Sequence, residues 1–238
     1  FVDIFTVLVL LGVVYFLLRR FIFKDNRLVI NEPVMLNDLA KKGMRNDSLI
    51  VGFFILLHVG SRLLAASFEI ARNGSDAFQP AATTIALLWS DFSQESIIIL
   101  EHIFWWIALG LILGFLPYFP FTKHAHLFMG PLNYMVKTER ASMAALEAID
   151  FEDDSIDQFG AGQLGHLPQS QILDAYACIQ CSRCQDACPA YETGKELSPS
   201  ALEINKRYFL NSHLDEFING SIQDAGITNI LLTDEAAW

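Results

Sequence analysis

The chain has 238 residues, of which 53% are hydrophobic, and yet it carries a formal net charge of -11. A single soluble domain rarely combines these two properties, so we expect two unlike parts. The acidic balance excludes a nucleic-acid-binding function, because neutralising phosphates requires a basic face. The apolar residues lie almost entirely before Asn133 and the acidic residues mostly after Glu139, so a membrane domain is predicted to precede a soluble one.

Three apolar stretches are long enough to cross a bilayer, which takes about 20 helical residues. They cover residues 1–23, 49–71 and 97–121. The first stretch ends in Arg-Arg-Phe-Ile-Phe-Lys and not in a small-residue cleavage site, which favours a membrane span over a removed signal peptide. A shorter apolar run over residues 80–92 predicts an interfacial or re-entrant helix.

The basic residues predict the orientation of these spans. Five of them lie in the loop over residues 23–47, namely Lys24, Arg27, Lys41, Lys42 and Arg45. The segment after the third span is also basic, whereas the loop between the second and third spans is mostly acidic. The positive-inside rule then places the first loop and the carboxy-terminal part in the cytoplasm. We therefore expect a multi-pass protein of the cytoplasmic (inner) membrane.

Several histidines lie in or next to the apolar stretches. His58 falls within the second span and His102 within the third, while His124 and His126 stand just after the third. Ionisable side chains inside a membrane are functional candidates, and paired neutral imidazoles from neighbouring helices bind the iron of b-type haem. The alternative is a hydrogen bond to a neighbouring helix. Arg62 follows His58 by one helical turn and is expected to meet a haem propionate, or else Glu69 or Glu101.

All four cysteines follow an acidic, turn-rich stretch over residues 134–177 that predicts a cytoplasmic linker. They are Cys178, Cys181, Cys184 and Cys188, spaced C-x2-C-x2-C-x3-C and followed by Pro189. This is the spacing of bacterial ferredoxins and predicts thiolate ligation of a [4Fe-4S] cluster. A structural zinc site usually has two separated C-x2-C pairs, and a disulfide framework belongs to small secreted chains.

The number of clusters depends on the fourth cysteine. In two-cluster ferredoxins the first three cysteines of a run bind one cluster and the fourth ligates the other. The chain has no fifth cysteine, so either Cys188 closes the same cluster or a second motif lies beyond Trp238 or on another subunit. We expect one or two clusters. Because the chain begins at Phe1 inside an apolar segment, we also expect it to be a fragment.

These elements predict a mainly α fold, in which a transmembrane helix bundle precedes a small α-helical, ferredoxin-like [4Fe-4S] domain. The expected boundaries are residues 1–133 for the membrane domain, 134–177 for the linker and 178–238 for the iron–sulfur domain. Within the last domain, residues 199–211 predict a helix, with Ser198 as its N-cap and Pro199 in its first position.

Three segments resemble one family. They are the segment from Trp105 to Asn133, the phrase Leu173-Asp174-Ala175-Tyr176-Ala177-Cys178, and the segment from Cys188 to Lys195. They resemble the membrane-bound iron–sulfur oxidoreductases of the heterodisulfide reductase type, whose amino-terminal part is similar to the gamma subunit of respiratory nitrate reductase. The resemblance implies electron transfer between a cytoplasmic donor, such as an electron-transfer flavoprotein, and membrane menaquinone, with b haem in the membrane part. It also implies that Thr-Asp-Glu-x-x-Trp at residues 233–238 leads into a second cysteine motif.

The chain departs from the fullest pattern of that family, which has two histidines on each of two spans. His58 and His126 match one position each, but the two remaining positions hold Phe68 and Ala108, neither of which can bind iron. We therefore expect the distal haem to be absent. At most one b haem remains, on the cytoplasmic side, bound by His58 with His126, or with His124 in its place.

Two hypotheses for the function follow. In the first, the chain is part of a quinone-linked iron–sulfur oxidoreductase and acts within a complex. In the second, it is a non-catalytic subunit that anchors a larger respiratory or photosynthetic complex and relays electrons. Both imply contacts with membrane lipid, a quinone, and a redox partner protein or neighbouring subunits.

Overall fold

The structure, a computed structural model, describes residues 2–24, 34–137, 151–152, 160–222 and 225–227. Much of the predicted linker and the whole of residues 233–238 lie outside these ranges. The described residues form helices and turns with no strand, and a single isolated β-bridge joins Gln163 to Gly226. The mainly α fold predicted from the sequence is confirmed.

Helices account for most of the described chain. The first five are α1 (Val2–Leu17, continued by a π-helical turn over Leu18–Ile22), α2 (Asp38–Asn73), α3 (Pro80–Ala86), α4 (Gln94–Tyr118) and α5 (His126–Val136). The other five are α6 (Gln169–Ala177), α7 (Arg183–Asp186), α8 (Pro189–Glu192), α9 (Pro199–Ser212) and α10 (Leu214–Ile218). Helix α6 lies inside the stretch for which the sequence predicted a linker.

The chain divides into two compact units. The first consists of Phe1–Val29 and Arg45–Phe119, and the second of Ile30–Met44 and Pro120–Trp238. Three helical stretches, Val2–Ile22, Asp38–Asn73 and Gln94–Phe121, are long and apolar enough to cross a membrane. The three long apolar helices predicted from the sequence are therefore confirmed, and the second is longer than its apolar stretch because polar turns precede it.

In the first unit, the part of α2 that follows Met44 runs antiparallel to α4. Three hydrogen bonds join them at successive levels, between Arg72 and Glu101 (3.1 Å), His58 and Ala108 (3.0 Å), and Tyr118 and Asp47 (3.2 Å). The residue numbers rise on one helix as they fall on the other, which defines the antiparallel direction. Polar contacts thus fix the register of two surfaces that are otherwise mostly apolar.

An aromatic layer packs the segment after α3 against α2. The ring of Phe68, which is only 2% exposed, stacks on Trp89 at 4.7 Å and on Phe104 at 5.8 Å between centroids. The indole Nε1 of Trp89 donates a hydrogen bond to the hydroxyl of buried Ser67 (3.0 Å). The short apolar helix predicted over residues 80–92 therefore folds back onto α2, with its helical part ending at Trp89.

The second unit is built around α9. Its N-cap is Ser198, whose hydroxyl accepts a hydrogen bond from the amide of Ala201 (3.2 Å), and Pro199 occupies the first position, so the predicted start of this helix is confirmed. Ala201 and Ile204 pack against the first turns of α2, and Leu210 packs against Leu164. The buried guanidinium of Arg207 donates to the carbonyl of Thr122 and lies over the ring of Tyr176.

Candidate functional site

The four cysteines lie in a loop between α6 and α9 of the second unit. Cys178 follows the last turn of α6, where its amide donates to the carbonyl of Asp174 (3.0 Å). Cys181 is in the loop, Cys184 lies within α7, and Cys188 is the N-cap of α8. All four are free thiols, so the disulfide alternative considered for this spacing finds no support in the structure.

The loop between the first cysteines has an unusual backbone. Gln180 and Ser182 adopt left-handed conformations, with φ of 60° and 58°. This conformation costs a residue with a Cβ roughly 1–2 kcal/mol, so neighbouring contacts must offset it. One such contact is the Gln180 amide, which donates to the Sγ of Cys178 (3.3 Å). The left-handed turn therefore aims a backbone N–H at a predicted ligand sulfur.

A second hydrogen-bonding group reaches the cysteines from α9. The hydroxyl of Ser200, a buried residue, lies 3.1 Å from the Sγ of Cys184. Hydrogen bonds to ligand sulfurs are one of the means by which proteins set the potential of an iron–sulfur cluster. Cys178 and Cys184 therefore each have a hydrogen-bonding partner close to sulfur before any metal is considered.

The electrostatic environment of Cys178 differs from that of its neighbours. Burial raises the pKa of the Cys178 thiol, the Gln180 amide lowers it, and the charges of Glu203, Cys184 and Cys181 raise it further. Cys181 and Cys184 are exposed. A thiolate in a partly buried position is stabilised by a positive partner such as a metal ion. The Cys178 thiol is therefore expected to lose its proton when it binds a metal and not as a free thiol. In the described ranges, however, no three His, Cys, Asp or Glu side chains already enclose one metal-ion position.

Two polar atoms of the loop test whether it suits an iron–sulfur cluster. The side-chain nitrogen Nε2 of Gln180 and the hydroxyl of Ser182 are buried, and neither has a hydrogen-bond partner among the described residues. A buried donor without a partner costs about 1–3 kcal/mol. The sulfur atoms of a cluster are acceptors, so both donors fit such a group. A zinc ion, the alternative considered for this spacing, would use the same thiolates but would bring no sulfur atoms of its own. The two additional donors therefore favour a [4Fe-4S] cluster.

A buried hydrogen-bond pair links the cysteine loop to α9. Gln185, which is 2% exposed, lies between the third and fourth cysteines, and its Oε1 accepts a hydrogen bond from the Ser198 hydroxyl (2.8 Å). Its Nε2 donates to the carbonyl of Leu197 (3.4 Å). The N-cap of α9 therefore also holds the loop. The sequence identified Ser198 as a cap but contained no signal for this second contact.

A partly buried ion pair lies near Cys178. Lys206 contacts Glu203 at 3.0 Å and also donates to the carbonyl of Gln171 (2.7 Å). Burial raises the pKa of Glu203, while the charge and hydrogen bond of Lys206 lower it. The net shift is upward, which means that burial outweighs the ion pair. A partly desolvated carboxyl group is thus an electrostatic neighbour of the Cys178 thiol.

The histidines predicted as haem ligands belong to different units. His58 is in the first unit, on α2, and its Nδ1 lies 3.0 Å from the carbonyl oxygen of Ala108. His124 and His126 are in the second unit, where the Nδ1 of His126 lies 2.6 Å from the carbonyl of Lys123. A carbonyl only accepts, so each Nδ1 carries a proton and Nε2 is the ring nitrogen left for a metal. The pairing of His58 with His126 stays a prediction.

Two other positions matter for the haem prediction, namely Phe68 and Ala108, where the resembled family has histidines in its fullest pattern. Phe68 belongs to the aromatic layer with Trp89 and Phe104, and Ala108 is buried with its carbonyl bonded to His58. Packed aromatic rings therefore occupy the Phe68 level of α2. The absence of the distal haem stays a prediction.

Arg62 does not make one of the contacts expected from the sequence. Glu101, one of the three partners considered for Arg62, pairs with Arg72 instead (3.1 Å). The reason is helical register, because Arg72 and not Arg62 lies level with the start of α4. Arg62 has no ion pair or hydrogen bond within the described part of the chain, and it lines a cavity together with His58 and Asp3.

Asp3 is a polar residue that the sequence analysis passed over. It interrupts the apolar run of the first span, yet it is only 6% exposed and its Oδ2 accepts a hydrogen bond from the amide of Ala81 (2.6 Å). This contact joins the start of α1 to the start of α3. The available signal was the presence of a carboxylate in an otherwise apolar stretch, which at membrane depth indicates a functional or pairing role.

Comparison with known proteins found no matching family model and no matching solved structure. Among curated proteins, the chain is 35% identical over 219 residues to a probable iron-sulfur-binding oxidoreductase, FadF, of Bacillus subtilis, covering 91% of this chain and 28% of FadF. It is 28% identical over 195 residues to the EtfAB:quinone oxidoreductase of Syntrophomonas wolfei, covering 79% of this chain and 26% of that protein.

A shorter match relates the chain to a probable membrane-anchored ferredoxin of Chromohalobacter salexigens, with 37% identity over 57 residues, which are 24% of this chain and 8% of that protein. The chain spans little more than a quarter of the length of FadF and of the quinone oxidoreductase. These similarities support the predicted relationship to iron–sulfur oxidoreductases, while the heterodisulfide reductase type and the nitrate reductase gamma-like part stay predictions. Over most of its length, the chain is similar to proteins named as iron–sulfur and quinone oxidoreductases.

Proposed function

We propose that the chain is the membrane electron-transfer part of a quinone-linked iron–sulfur oxidoreductase. In this proposal residues 1–133 form the membrane domain, residues 178–238 belong to the iron–sulfur domain, and the residues between them connect the two. The iron–sulfur domain lies on the cytoplasmic side of the inner membrane. The basic residues between positions 24 and 45 support this orientation through the positive-inside rule, and three of them, Lys41, Lys42 and Arg45, lie in the first turns of α2.

The observation that carries the proposal is the cysteine loop. Cys178, Cys181 and Cys184 are assigned as ligands of one [4Fe-4S] cluster, because they have the C-x2-C-x2-C spacing of bacterial ferredoxins. Cys188 is assigned either to the same cluster or to a second one. When bound, the cluster supplies one-electron transfer between donor and acceptor. The chain's own contribution is to orient the sulfurs and to place N–H and O–H groups against them.

The membrane domain is proposed to bind at most one b haem. His58 together with His126, or with His124 in its place, would hold the haem iron. The hydrogen bond from the Nδ1 of His58 to the carbonyl of Ala108 supports this role, because it holds the ring and leaves Nε2 as the ligand atom. A haem iron in this position would supply a second one-electron carrier within the bilayer.

The donor and acceptor are proposed from the relatives and from the predicted orientation. One relative is named as an EtfAB:quinone oxidoreductase, which supports an electron-transfer flavoprotein as cytoplasmic donor and a quinone as membrane acceptor. Menaquinone is the quinone that the family resemblance implies. The acidic carboxy-terminal part would then attract a basic partner surface, at a rate that falls as salt concentration rises.

The alternative is that the chain only anchors and relays. It is favoured by the match to a protein named as a membrane-anchored ferredoxin, which covers a quarter of this chain. In that case the cluster would accept electrons from a donor and pass them to a neighbouring subunit. Quinone reduction by the purified protein would then not occur.

A quinone-reduction assay separates the two functions. The purified full-length protein, held anaerobically in detergent, is mixed with a reduced electron-transfer flavoprotein and a water-soluble naphthoquinone, and quinol formation is followed. We expect turnover in the wild type, none in Cys181→Ser, and wild-type turnover in Ser212→Ala, because Ser212 is an exposed residue at the end of α9. Cluster reduction by the flavoprotein without quinol formation would establish the relay function instead.

A further inference from the structure

The first unit contains a cavity of about 570 Å³ between α1, the middle of α2 and the loop that leads into α3. We call it the α1–α2 cavity. Its apolar lining includes Phe5, Val9, Val59 and Leu63. The volume falls in the usual range for cofactor and small-molecule sites, about 300–1,000 Å³. Because its walls are the first two apolar helices, a ligand of this cavity would be a lipid-soluble molecule.

The α1–α2 cavity also has ionisable residues in its lining, namely Asp3, His58, Arg62 and Asp76. Ionisable side chains on membrane helices are costly and mark functional sites. Arg62 makes no ion pair or hydrogen bond with any described residue, although a guanidinium has five donors that require acceptors. The Arg62 side chain is exposed, so its guanidinium donors are available to a ligand that enters the cavity.

The charged groups of the lining narrow the class of ligand. The lining holds two carboxyl groups, those of Asp3 and Asp76, and one guanidinium, that of Arg62. The amide of Phe78 (2.8 Å) and the side chain of Gln79 (3.0 Å) donate to Asp76 and lower its pKa, so this carboxyl group stays ionised. A negatively charged ligand, such as a phospholipid phosphate or a haem propionate, is therefore disfavoured.

We propose that the α1–α2 cavity binds the headgroup of a quinone, with Arg62 donating hydrogen bonds to a carbonyl oxygen and Asp3 exchanging a proton with the reduced oxygen. A quinone is neutral, its ring is apolar on both faces, and its two carbonyl oxygens accept hydrogen bonds. It therefore suits a lining that is apolar, contains carboxyl groups and offers the donors of Arg62. This assignment rests on the proposed quinone-linked function. It gives Arg62 a ligand other than the haem propionate expected from the sequence.

The chemistry of quinone reduction accounts for the buried carboxyl group. Conversion of a quinone to a quinol adds two electrons and two protons and forms two O–H bonds. In the proposed function the electrons come from the reduced flavoprotein by way of the cluster, and the protons come from water. Asp3 stands at the first turn of α1, and its Oδ2 is held by the Ala81 amide, so its position is fixed next to the cavity.

Photo-crosslinking tests the location directly. An azido-substituted naphthoquinone is added to the wild-type protein in detergent, illuminated, and mapped by mass spectrometry of proteolytic peptides. We expect labelling of peptides that contain residues 2–9, 59–66 or 76–79, and competition by an unmodified naphthoquinone. Labelling elsewhere in a protein that reduces quinone would overturn the assignment and leave the proposed function intact. Competition by anionic phospholipid, but not by naphthoquinone, would identify the cavity as a lipid site.

Substitutions test the two roles separately. Arg62→Gln is expected to weaken naphthoquinone binding about tenfold or more, because a charged hydrogen bond is lost, whereas Arg62→Lys restores part of it. Asp3→Asn is expected to lower kcat about 100-fold with little change in naphthoquinone binding. A decrease of this size is typical when a side chain that transfers a proton is removed. Arg72→Gln is the matched control, since Arg72 pairs with Glu101 outside the cavity.

Each variant needs a readout that does not depend on activity, and the cluster absorption and elution volume provide one. If Arg62→Gln and Asp3→Asn both keep the cluster, bind naphthoquinone as the wild type does and turn over normally, the assignment is overturned. If a variant does not fold, the crosslinking map of the wild type decides. If the wild type itself reduces no quinone, the proposed function fails, and crosslinking then shows independently whether the cavity binds a quinone.

Discussion

The Nδ1 of His58 lies 3.0 Å from the carbonyl oxygen of Ala108, on the neighbouring antiparallel helix. Ala108 occupies a position at which the resembled family has a histidine in its fullest pattern. Its side chain cannot bind iron, but its backbone orients the histidine that remains. The ring of His58 also stacks on Phe54, with 5.7 Å between centroids and 7° between planes. Two independent contacts therefore restrict its rotation.

The first prediction concerns this histidine. His58→Gln is expected to abolish a b-type reduced-minus-oxidised spectrum, because the amide side chain offers no strong ligand for haem iron. His102→Gln should leave most of it, since His102 follows Glu101, whose partner Arg72 lies about four helical turns beyond His58 on α2. A pyridine haemochrome assay measures the bound haem. Wild-type protein that contains no haem would remove His58 from the list of ligands.

The second prediction concerns the potential of the cluster. Ser200→Ala removes the hydroxyl that lies 3.1 Å from the Sγ of Cys184. Hydrogen-bond donors stabilise the more negative reduced state, so the midpoint potential should become more negative while the absorption spectrum is kept. A redox titration followed by EPR measures the shift, with Ser212→Ala as the control. An unchanged potential would show that Ser200 does not donate to a ligand sulfur.

The third prediction concerns the contact between α9 and the cysteine loop. Ser198→Ala removes both the N-cap of α9 and the hydrogen bond to Gln185, so we expect a loss of about 1–2 kcal/mol in the free energy of unfolding. The cluster should also be released faster on mild heating, which the decay of its visible absorption records. Ser198→Thr keeps the hydroxyl and should behave like the wild type. Equal decay rates for all three proteins would contradict this dual role.

The fourth prediction concerns pH. Burial raises the pKa of Glu203 above its ordinary value of 4.5, so the folded protein holds this proton more tightly than the unfolded chain does. The free energy of unfolding therefore falls as pH rises from the unfolded pKa through the folded pKa, and it is level above that interval. Glu203→Gln should remove this decrease, since an amide does not ionise.

Thermal unfolding of the detergent-solubilised protein between about pH 4 and pH 8 tests this sign. The quantity to compare is the change in unfolding midpoint with pH, in the wild type, in Glu203→Gln and in Glu216→Gln. Glu216 lies on α10 and is exposed, so its variant should follow the wild type. A steeper decrease with pH in Glu203→Gln than in the wild type would mean that the ion pair with Lys206 dominates over burial.

Local sequence patterns predicted the elements whose formation depends on few neighbours. About 20 consecutive apolar residues predict a long helix whatever it packs against, and Ser198-Pro199 predicts a helix start by local bonding alone. The partner of Glu101 could not be predicted in this way. Arg62 and Arg72 both precede Glu101 in sequence, and only the register of α2 against α4 determines that Arg72 is the partner. The hydrogen bond between Asp3 and Ala81 joins residues far apart in sequence, so no local pattern indicates it.

The unequal exposure of the cysteines has a consequence for the biogenesis of the protein. Cys181 and Cys184 are exposed, whereas Cys178 is half-buried and burial raises the pKa of its thiol. A scaffold or carrier protein that delivers a preassembled cluster would therefore meet Cys181 and Cys184 first. Transfer would be completed when Cys178 loses its proton to the incoming metal. The same inequality means that an oxidant would reach Cys181 and Cys184 before the half-buried Cys178.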